Sequence, residues 1–102
     1  MHTGYCNRLL CYTLYMGIEF KDSADRHGIP REETLYAMTH AEAATKVPGH
    51  PGETTTVYVG HPHGQTDRYL EVIAALRPPR TVVIFHSMPL TDLYRHLLHE
   101  RK

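Results

Sequence analysis

The chain has only two cysteines, no excess of charge of either sign and no long hydrophobic run. Its longest apolar stretches, such as residues 82–85, are far too short to cross a bilayer, and no signal-peptide pattern precedes a cleavage site. We therefore expect a cytoplasmic protein. The formal net charge of zero and the isoelectric point near 7.1 exclude a molecule that is basic throughout, as strong nucleic-acid binders often are.

The few cysteines and the closely spaced histidines give only weak metal signatures. Cys6 and Cys11 follow His2, but a Cys-x4-Cys spacing without a second pair of ligands is a weak zinc signal. Two incidental thiols in a reducing compartment are the simpler interpretation. His61 and His63 lie two apart in a predicted turn, and without a third ligand they are typical of exposed loop residues. We therefore predict no metal and no other cofactor.

The sequence does contain enough apolar residues for one small folded domain, since 41% of its 102 residues are hydrophobic and 22% are charged. Residues 1–15 show no clear period and no helix cap, so we interpret them as an N-terminal extension that is disordered or adds one short element. The domain is then expected to cover residues 16–102. Within it, residues 16–53 carry a net charge of −3 and residues 54–102 a net charge of +2, so an anionic partner is expected to meet the second half first.

Three strand-like runs fill much of the second half, and loops rich in glycine, proline and polar residues separate them. We predict that residues 54–61, 68–76 and 81–88 form consecutive antiparallel hairpins. The first half is predicted to contain a strand, two helices and a short strand, at residues 16–20, 21–28, 30–43 and 44–47.

A helix over residues 89–102 is the clearest element, because its apolar residues recur at helical spacing. One apolar stripe is expected to comprise Leu90, Leu93, Tyr94, Leu97 and Leu98. The opposite, solvated side is expected to carry Asp92, Arg95, His96 and His99. The order of elements predicts an α+β domain with a small antiparallel sheet of three to five strands, one or two N-terminal helices and a C-terminal helix.

The loop lengths predict a register for the two hairpins. The four-residue loop 77–80 places Glu71 opposite His86, and the six-residue loop 62–67 places Tyr58 opposite Glu71. Because side chains alternate between faces, one face is expected to carry a row of three ionisable groups across three strands. The other face is expected to collect the apolar core residues Val57, Val59, Leu70, Val72, Ala74, Val83 and Phe85.

The predicted row of Tyr58, Glu71 and His86 has the parts needed for acid–base chemistry. A histidine beside a carboxylate can pass protons at cellular pH, and the tyrosine adds a hydroxyl group. With a cation to hold phosphate, these groups can drive a ribose 2′-hydroxyl against its own 3′-phosphate without a metal. The alternative is a cross-strand pair on a solvated sheet face, which contributes only about 0.2–1 kcal/mol. The candidate phosphate-binding cations are Arg68, Arg80 and Arg95.

Four short motifs in this order resemble the BrnT-like branch of the RelE/ParE toxin superfamily. They are HGIPREE (27–33), VYVG (57–60), RYLEVI (68–73) and VVIFHSMPLT (82–91). The resemblance implies a RelE-like fold, a messenger-RNA endonuclease that acts freely or on the ribosome, and an antitoxin protein that neutralises it. The match carries over onto His27, Gly28, Arg68 and Pro89.

One departure from that pattern affects the chemistry that the resemblance implies. The arginine that usually precedes the proline in the last strand is Met88 here, so a fixed cation is missing. Either His86, two residues earlier on the same face, replaces it, or the protein is a weak or inactive relative. The first hypothesis is an RNA-cleaving toxin of a type II toxin–antitoxin pair. The second is a catalytically inactive RelE-like module that binds a protein through an open sheet face carrying Ile73, Val82 and Ile84.

Overall fold

The computed structural model describes residues 17–77 and 81–100, and the predicted extension 1–15 lies outside them. Within the described ranges the strands form one sheet in the order β1-β5-β4-β3-β2, antiparallel throughout except that β1 and β5 are parallel. The predicted α+β class with a small, mostly antiparallel sheet is therefore confirmed. The elements are β1 (Gly17–Phe20), α1 (Asp22–Asp25), α2 (Arg31–Thr39), β2 (Ala43–Val47), β3 (Thr54–Gly60), β4 (Leu70–Arg77), β5 (Thr81–Pro89) and α3 (Asp92–Glu100).

Helix α2 begins where the local sequence favours it, but it ends earlier than predicted. Pro30 precedes the helix, and Glu32 and Glu33 lie in its first turn, where carboxylates favour the positive end of the helix dipole. The helix stops at Thr39 instead of residue 43. Residues from Ala43 onward pair with β3, so the backbone hydrogen bonds that would extend the helix are used in the sheet.

Helices cover both faces of the sheet, which corrects the prediction of one apolar face. Helices α1 and α2 pack on one face, the α2 face, around a core of buried residues. Helix α3 packs on the other face, the α3 face, around a second core. The first core contains Ala24, Ala37, Met38, Leu70, Val72, Ala74, Val82 and Ile84. The second contains Val57, Val59 and Leu97, with Ala43, Val47, Tyr69, Ile73, Leu90, Tyr94 and Leu98 packed against them.

Two of the three apolar residues predicted for an open face are buried instead. Val82 and Ile84 lie in the core beneath α1 and α2, whereas Ile73 is half-buried on the α3 face. Continuous apolar runs such as residues 82–85 are typical of strands buried on both faces, because neither face meets water. The second layer of helix therefore explains why these runs do not alternate with polar residues.

The predicted register between β3 and β4 is wrong by one residue. Tyr58 pairs with Val72, and Glu71 pairs with Val59. Strand β3 ends at Gly60, so the loop before Leu70 is longer than the six residues assumed. A one-residue slip moves every side chain of a strand to the other face, and here it separates Tyr58 from Glu71.

The predicted register between β4 and β5 is wrong by two residues around Glu71 and His86. His86 pairs with Ile73, and Glu71 pairs with Met88. An irregularity between Ile73 and Ala74 leaves Phe85 as an extra residue in β5. Because the error is an even number of residues, Glu71 and His86 still lie on one face, as predicted.

Helix α3 begins at Asp92, three residues later than predicted. Leu97 is buried and Leu93 is 67% exposed, so Leu93 does not belong to the packed stripe. The positions predicted to be solvated in this helix are exposed, namely Asp92, Arg95, His96 and His99. No helix in the described ranges is long and apolar enough to cross a membrane.

Candidate functional site

Glu71 is a buried carboxylate on the α3 face, with its side chain only 3% exposed. Its Oε1 accepts hydrogen bonds from the backbone N–H of Thr91 at 2.8 Å and from the Thr91 hydroxyl at 2.6 Å. Its Oε2 lies 2.7 Å from Nε2 of His86. Oε1 accepts two hydrogen bonds, and an ionised carboxylate can accept a third from the imidazole through Oε2.

The imidazole of His86 connects this buried carboxylate to the surface, because its side chain is 28% exposed. An ionised Glu71 can only accept, so we assign the Nε2 proton of His86 to this hydrogen bond. In the neutral ring, Nδ1 then carries the lone pair. No hydrogen bond from any described residue occupies Nδ1. The geometry is that of a base held by a carboxylate, with its reactive nitrogen left open.

The start of α3 holds Glu71 in place. Thr91 directly precedes the helix, and the N–H of Leu90 donates to the carbonyl of Tyr69 at 3.0 Å, which extends the contact between the end of β5 and the start of β4. Glu71 therefore also binds the helix to the sheet. This structural role is compatible with a chemical role for His86, since the two partners use different oxygens of the carboxylate.

Position 88 of β5, where the toxin family that this chain resembles usually has an arginine, lies directly opposite Glu71. Met88 pairs with Glu71, and His86 lies two residues earlier on the same face. A cation at position 88 would therefore face the carboxylate. In this chain Glu71 instead contacts His86, so the ionisable partner is two residues back along β5.

Tyr58 does not join the other two predicted catalytic residues. It pairs with Val72 and packs against the core of the α2 face, whereas Glu71 and His86 lie on the α3 face. The sheet itself separates the tyrosine from the carboxylate–imidazole pair. The predicted row of Tyr58, Glu71 and His86 is therefore wrong in its placement of Tyr58.

The three candidate arginines have different surroundings. Arg68 is exposed in the loop between β3 and β4, where its backbone N–H donates to the Thr66 hydroxyl at 3.1 Å. Arg95 lies one helical turn after Thr91; its Nε donates to Asp92 at 3.1 Å and its Nη2 to the Leu90 carbonyl at 3.4 Å. Arg80 lies outside the described residues. Phosphate binding by these residues stays a prediction.

A second polar cluster was not predicted, and it joins the ends of three strands. His61 contacts Glu42 through Nε2 at 3.1 Å and the carbonyl of Arg68 through Nδ1 at 2.6 Å. The Tyr69 hydroxyl donates to the other oxygen of Glu42 at 2.9 Å, and its ring stacks on His61 with centroids 4.1 Å apart. The sequence drew attention only to His61, because the three side chains are far apart along the chain.

His27 is the other residue whose position the sequence did not reveal. Its ring centroid lies 6.3 Å from that of His86, with the ring planes 74° apart. Sequence reasoning singled out its place in the HGIPREE motif, next to Gly28, which adopts a positive φ of 74°. Its proximity to His86 depends on how α1 packs against β5, which no local pattern reports.

A cavity of about 800 Å³ opens on the α3 face, and neither Glu71 nor His86 lines it. Ile73 and Phe85 contribute apolar lining, Tyr94 borders it from α3, and Lys21 and Arg77 carry positive charge at its rim. Arg77 donates to Glu53 at 2.6 Å, and this carboxylate raises the pKa of the guanidinium. The cavity exists because α3 covers only part of this face.

The described residues contain no cluster of three or more histidine, cysteine, aspartate or glutamate side chains placed to hold a metal ion. The weak cysteine motif lies outside the described residues. His63 accepts a hydrogen bond from the N–H of Gln65, so it faces its own turn. Comparison of the chain with protein-family models, curated proteins and solved structures finds no match.

Proposed function

We propose that this protein is a metal-independent endoribonuclease and the toxin of a bacterial type II toxin–antitoxin pair, acting in the cytoplasm. The observation that supports this most is the contact between buried Glu71 and partly exposed His86, 2.7 Å apart. The order of the sequence motifs supports the same proposal through its resemblance to the BrnT-like toxins. The RelE-like fold is part of the proposal.

In this proposal His86 is the general base. Its Nδ1 takes the proton of a ribose 2′-hydroxyl, and the resulting oxygen attacks the adjacent phosphorus. Glu71 holds the ring with Nε2 protonated and stabilises the imidazolium that forms, because a carboxylate favours a positive charge beside it. Thr91 is a positioning residue, since it fixes both the distance and the orientation of Glu71.

Substrate binding is assigned to three arginines in the second half of the chain, Arg68, Arg80 and Arg95. A guanidinium group binds phosphate through two parallel hydrogen bonds, and the net charge of +2 over residues 54–102 favours an anionic substrate. The substrate is messenger RNA, cleaved freely or on the ribosome. The protein partner is a cognate antitoxin that neutralises the enzyme by binding it.

Growth arrest in a bacterial host tests this function. We expect induction of the wild-type gene to stop growth, and His86→Ala to relieve the arrest because the base is lost. Glu71→Gln should also relieve it, since the amide keeps the size of the side chain but not its charge. His96→Ala is the matched control, because His96 is an exposed histidine on α3, and it should arrest growth like the wild type.

Two outcomes would contradict the proposal. One is normal growth while wild-type protein accumulates in soluble form. The other is an arrest that His86→Ala leaves as strong as that of His96→Ala. Either result must be read together with the amount of soluble protein for each variant, measured in the same cells.

The alternative function is a catalytically inactive protein-binding module, and the cavity on the α3 face favours it. Half-buried Ile73 and Phe85 offer apolar surface to a partner, and Met88 leaves the strand without its usual cation. The two functions share a partner, because a toxin also binds its antitoxin. Normal growth on induction, together with binding to the product of an adjacent small gene that encodes a DNA-binding antitoxin, would favour the inactive module.

A further inference from the structure

We propose that His27 is the general acid that protonates the leaving group in the reaction assigned to His86; this inference depends on the proposed function. Its ring centroid lies 6.3 Å from that of His86, and the rings meet edge to face. This separation is too large for a hydrogen bond between the rings. Since a catalytic hydrogen bond spans about 3 Å, both rings can contact oxygens of a single phosphate group.

The packing of α1 against β5 brings His27 to this place. Strand β1 pairs with β5 only over Thr81 to Ile84, so among the described residues no strand pairs with this edge of β5 beyond Ile84. Two hydrogen bonds attach the start of α1 to that edge. The N–H of Lys21 donates to the Ile84 carbonyl at 2.9 Å, and the Ser23 hydroxyl donates to the Phe85 carbonyl at 2.5 Å. The turn that follows α1 therefore reaches His86.

The turn that carries His27 is closed on both sides. The N–H of Gly28 donates to the Asp25 carbonyl at 3.1 Å, in a backbone conformation with positive φ that glycine adopts without strain. Arg31 binds the Asp25 carboxylate through Nε and Nη2 at 3.2 and 2.8 Å, and its guanidinium lies over the Phe20 ring. The guanidinium holds the pKa of the Asp25 carboxyl below its ordinary value. These contacts fix the turn on both sides of His27, and the His27 side chain itself is exposed to solvent.

The two imidazoles have different partners, which assigns them different roles. His86 is bound to an ionised carboxylate, whereas no described residue forms a hydrogen bond or ion pair with exposed His27. Two titratable groups in unlike environments are the usual arrangement of an acid and a base at one site. The carboxylate of Glu71 stabilises the proton that His86 gains, and the delivery of the second proton is assigned to His27.

The reaction that follows is balanced. The 2′-hydroxyl proton passes to Nδ1 of His86 while the 2′-oxygen forms a bond to phosphorus. The bond between phosphorus and the 5′-oxygen breaks, and the proton of imidazolium His27 passes to that oxygen. The products are a 2′,3′-cyclic phosphate and a 5′-hydroxyl. Water then exchanges a proton onto His27 and takes one from His86, so no oxidant, metal or further reactant is required.

An RNA in which sulfur replaces the 5′-bridging oxygen tests this role. Sulfur leaves as a thiolate without a proton, because a thiol is a much stronger acid than an alcohol. On ordinary RNA, His27→Ala and His27→Gln should lower kcat by about 10²–10⁴-fold, the usual contribution of a general acid. On the sulfur-containing RNA both variants should cleave within a few-fold of the wild type, whereas His86→Ala should be slow on both substrates.

Each of the other outcomes contradicts the inference and shows whether the role of His27 alone or the whole proposed function is wrong. If His27→Ala cleaves ordinary RNA as fast as the control His99→Ala, which alters an exposed histidine on α3, His27 has no role and the proposed function stands. An equal loss on both RNAs would mean that His27 only supports the fold or the binding of substrate. Failure of the wild type to cleave either RNA would overturn the proposed function and this inference together. Melting temperatures of the variants check that each one folds.

Discussion

Three polar groups lie within hydrogen-bond distance of the buried Glu71 carboxyl group: the N–H and the hydroxyl of Thr91 and the imidazole of His86. At the scale of the residue, this contact could be anticipated in part. An even error in register kept Glu71 and His86 on one face, while an odd error moved Tyr58 to the other. The role of Thr91 could not be anticipated, because it follows from where α3 begins relative to β4.

Thr91→Val tests how much of this arrangement depends on one hydroxyl group. Valine has nearly the same shape but leaves Oε1 of buried Glu71 without one of its donors. A hydrogen bond to a charged group contributes about 1.5–3 kcal/mol, so we expect the free energy of unfolding to fall by roughly that amount. Denaturant unfolding followed by circular dichroism measures it.

Thr54→Val is the control for this substitution, since Thr54 is an exposed threonine in β3. It should change the free energy of unfolding by less than about 0.5 kcal/mol, as surface substitutions usually do. Equal stability of the two variants would show that the Thr91 hydroxyl does not hold the carboxylate in solution.

At the scale of the element, the sequence predicts where the strands lie but not the register in which they pair. The structure has strands at the three places that the sequence predicts in the second half. Each observed strand end lies within two residues of the predicted end, for the predicted ranges 54–61, 68–76 and 81–88. Their register depends on two features without a clear pattern: the long loop between β3 and β4, and the irregularity beside Ile73. Apolar runs on both faces remove the alternation that would otherwise reveal a slip. Gly60 lies where the backbone at and after the end of α2 comes close to β3.

Gly60→Ala tests that packing. A Cβ atom at this position would collide with the carbonyl oxygen of Ala37 and lie 3.2 Å from the Cα of Ala41, so backbone must move. We expect a loss of about 1–3 kcal/mol in the free energy of unfolding, the usual cost of overpacking a core. The control is Gly17→Ala, because no atom of the described residues lies within 4 Å of the position that a Cβ would take there. A Gly60 variant as stable as the Gly17 variant would contradict the close contact between α2 and β3.

At the scale of the whole molecule, the α+β class followed from the order of elements, while the layering did not. The apolar stripe of α3 predicted a packed helix but not which face it covers. The parallel pairing of β1 with β5 brings residues 17–20 beside β5, and the turn that carries His27 lies close to His86 as a result. The cluster of Glu42, His61 and Tyr69 likewise joins residues that only the folded sheet brings together.

Cleavage of RNA by the purified protein in the presence of a metal chelator tests the central claim most directly. We predict products that end in a 2′,3′-cyclic phosphate, and a rate that His86→Ala lowers by about 10²–10⁴-fold while His96→Ala leaves it unchanged. Intact RNA with the folded wild-type protein, or equal rates for the two histidine variants, would contradict the claim that Glu71 and His86 form an acid–base site.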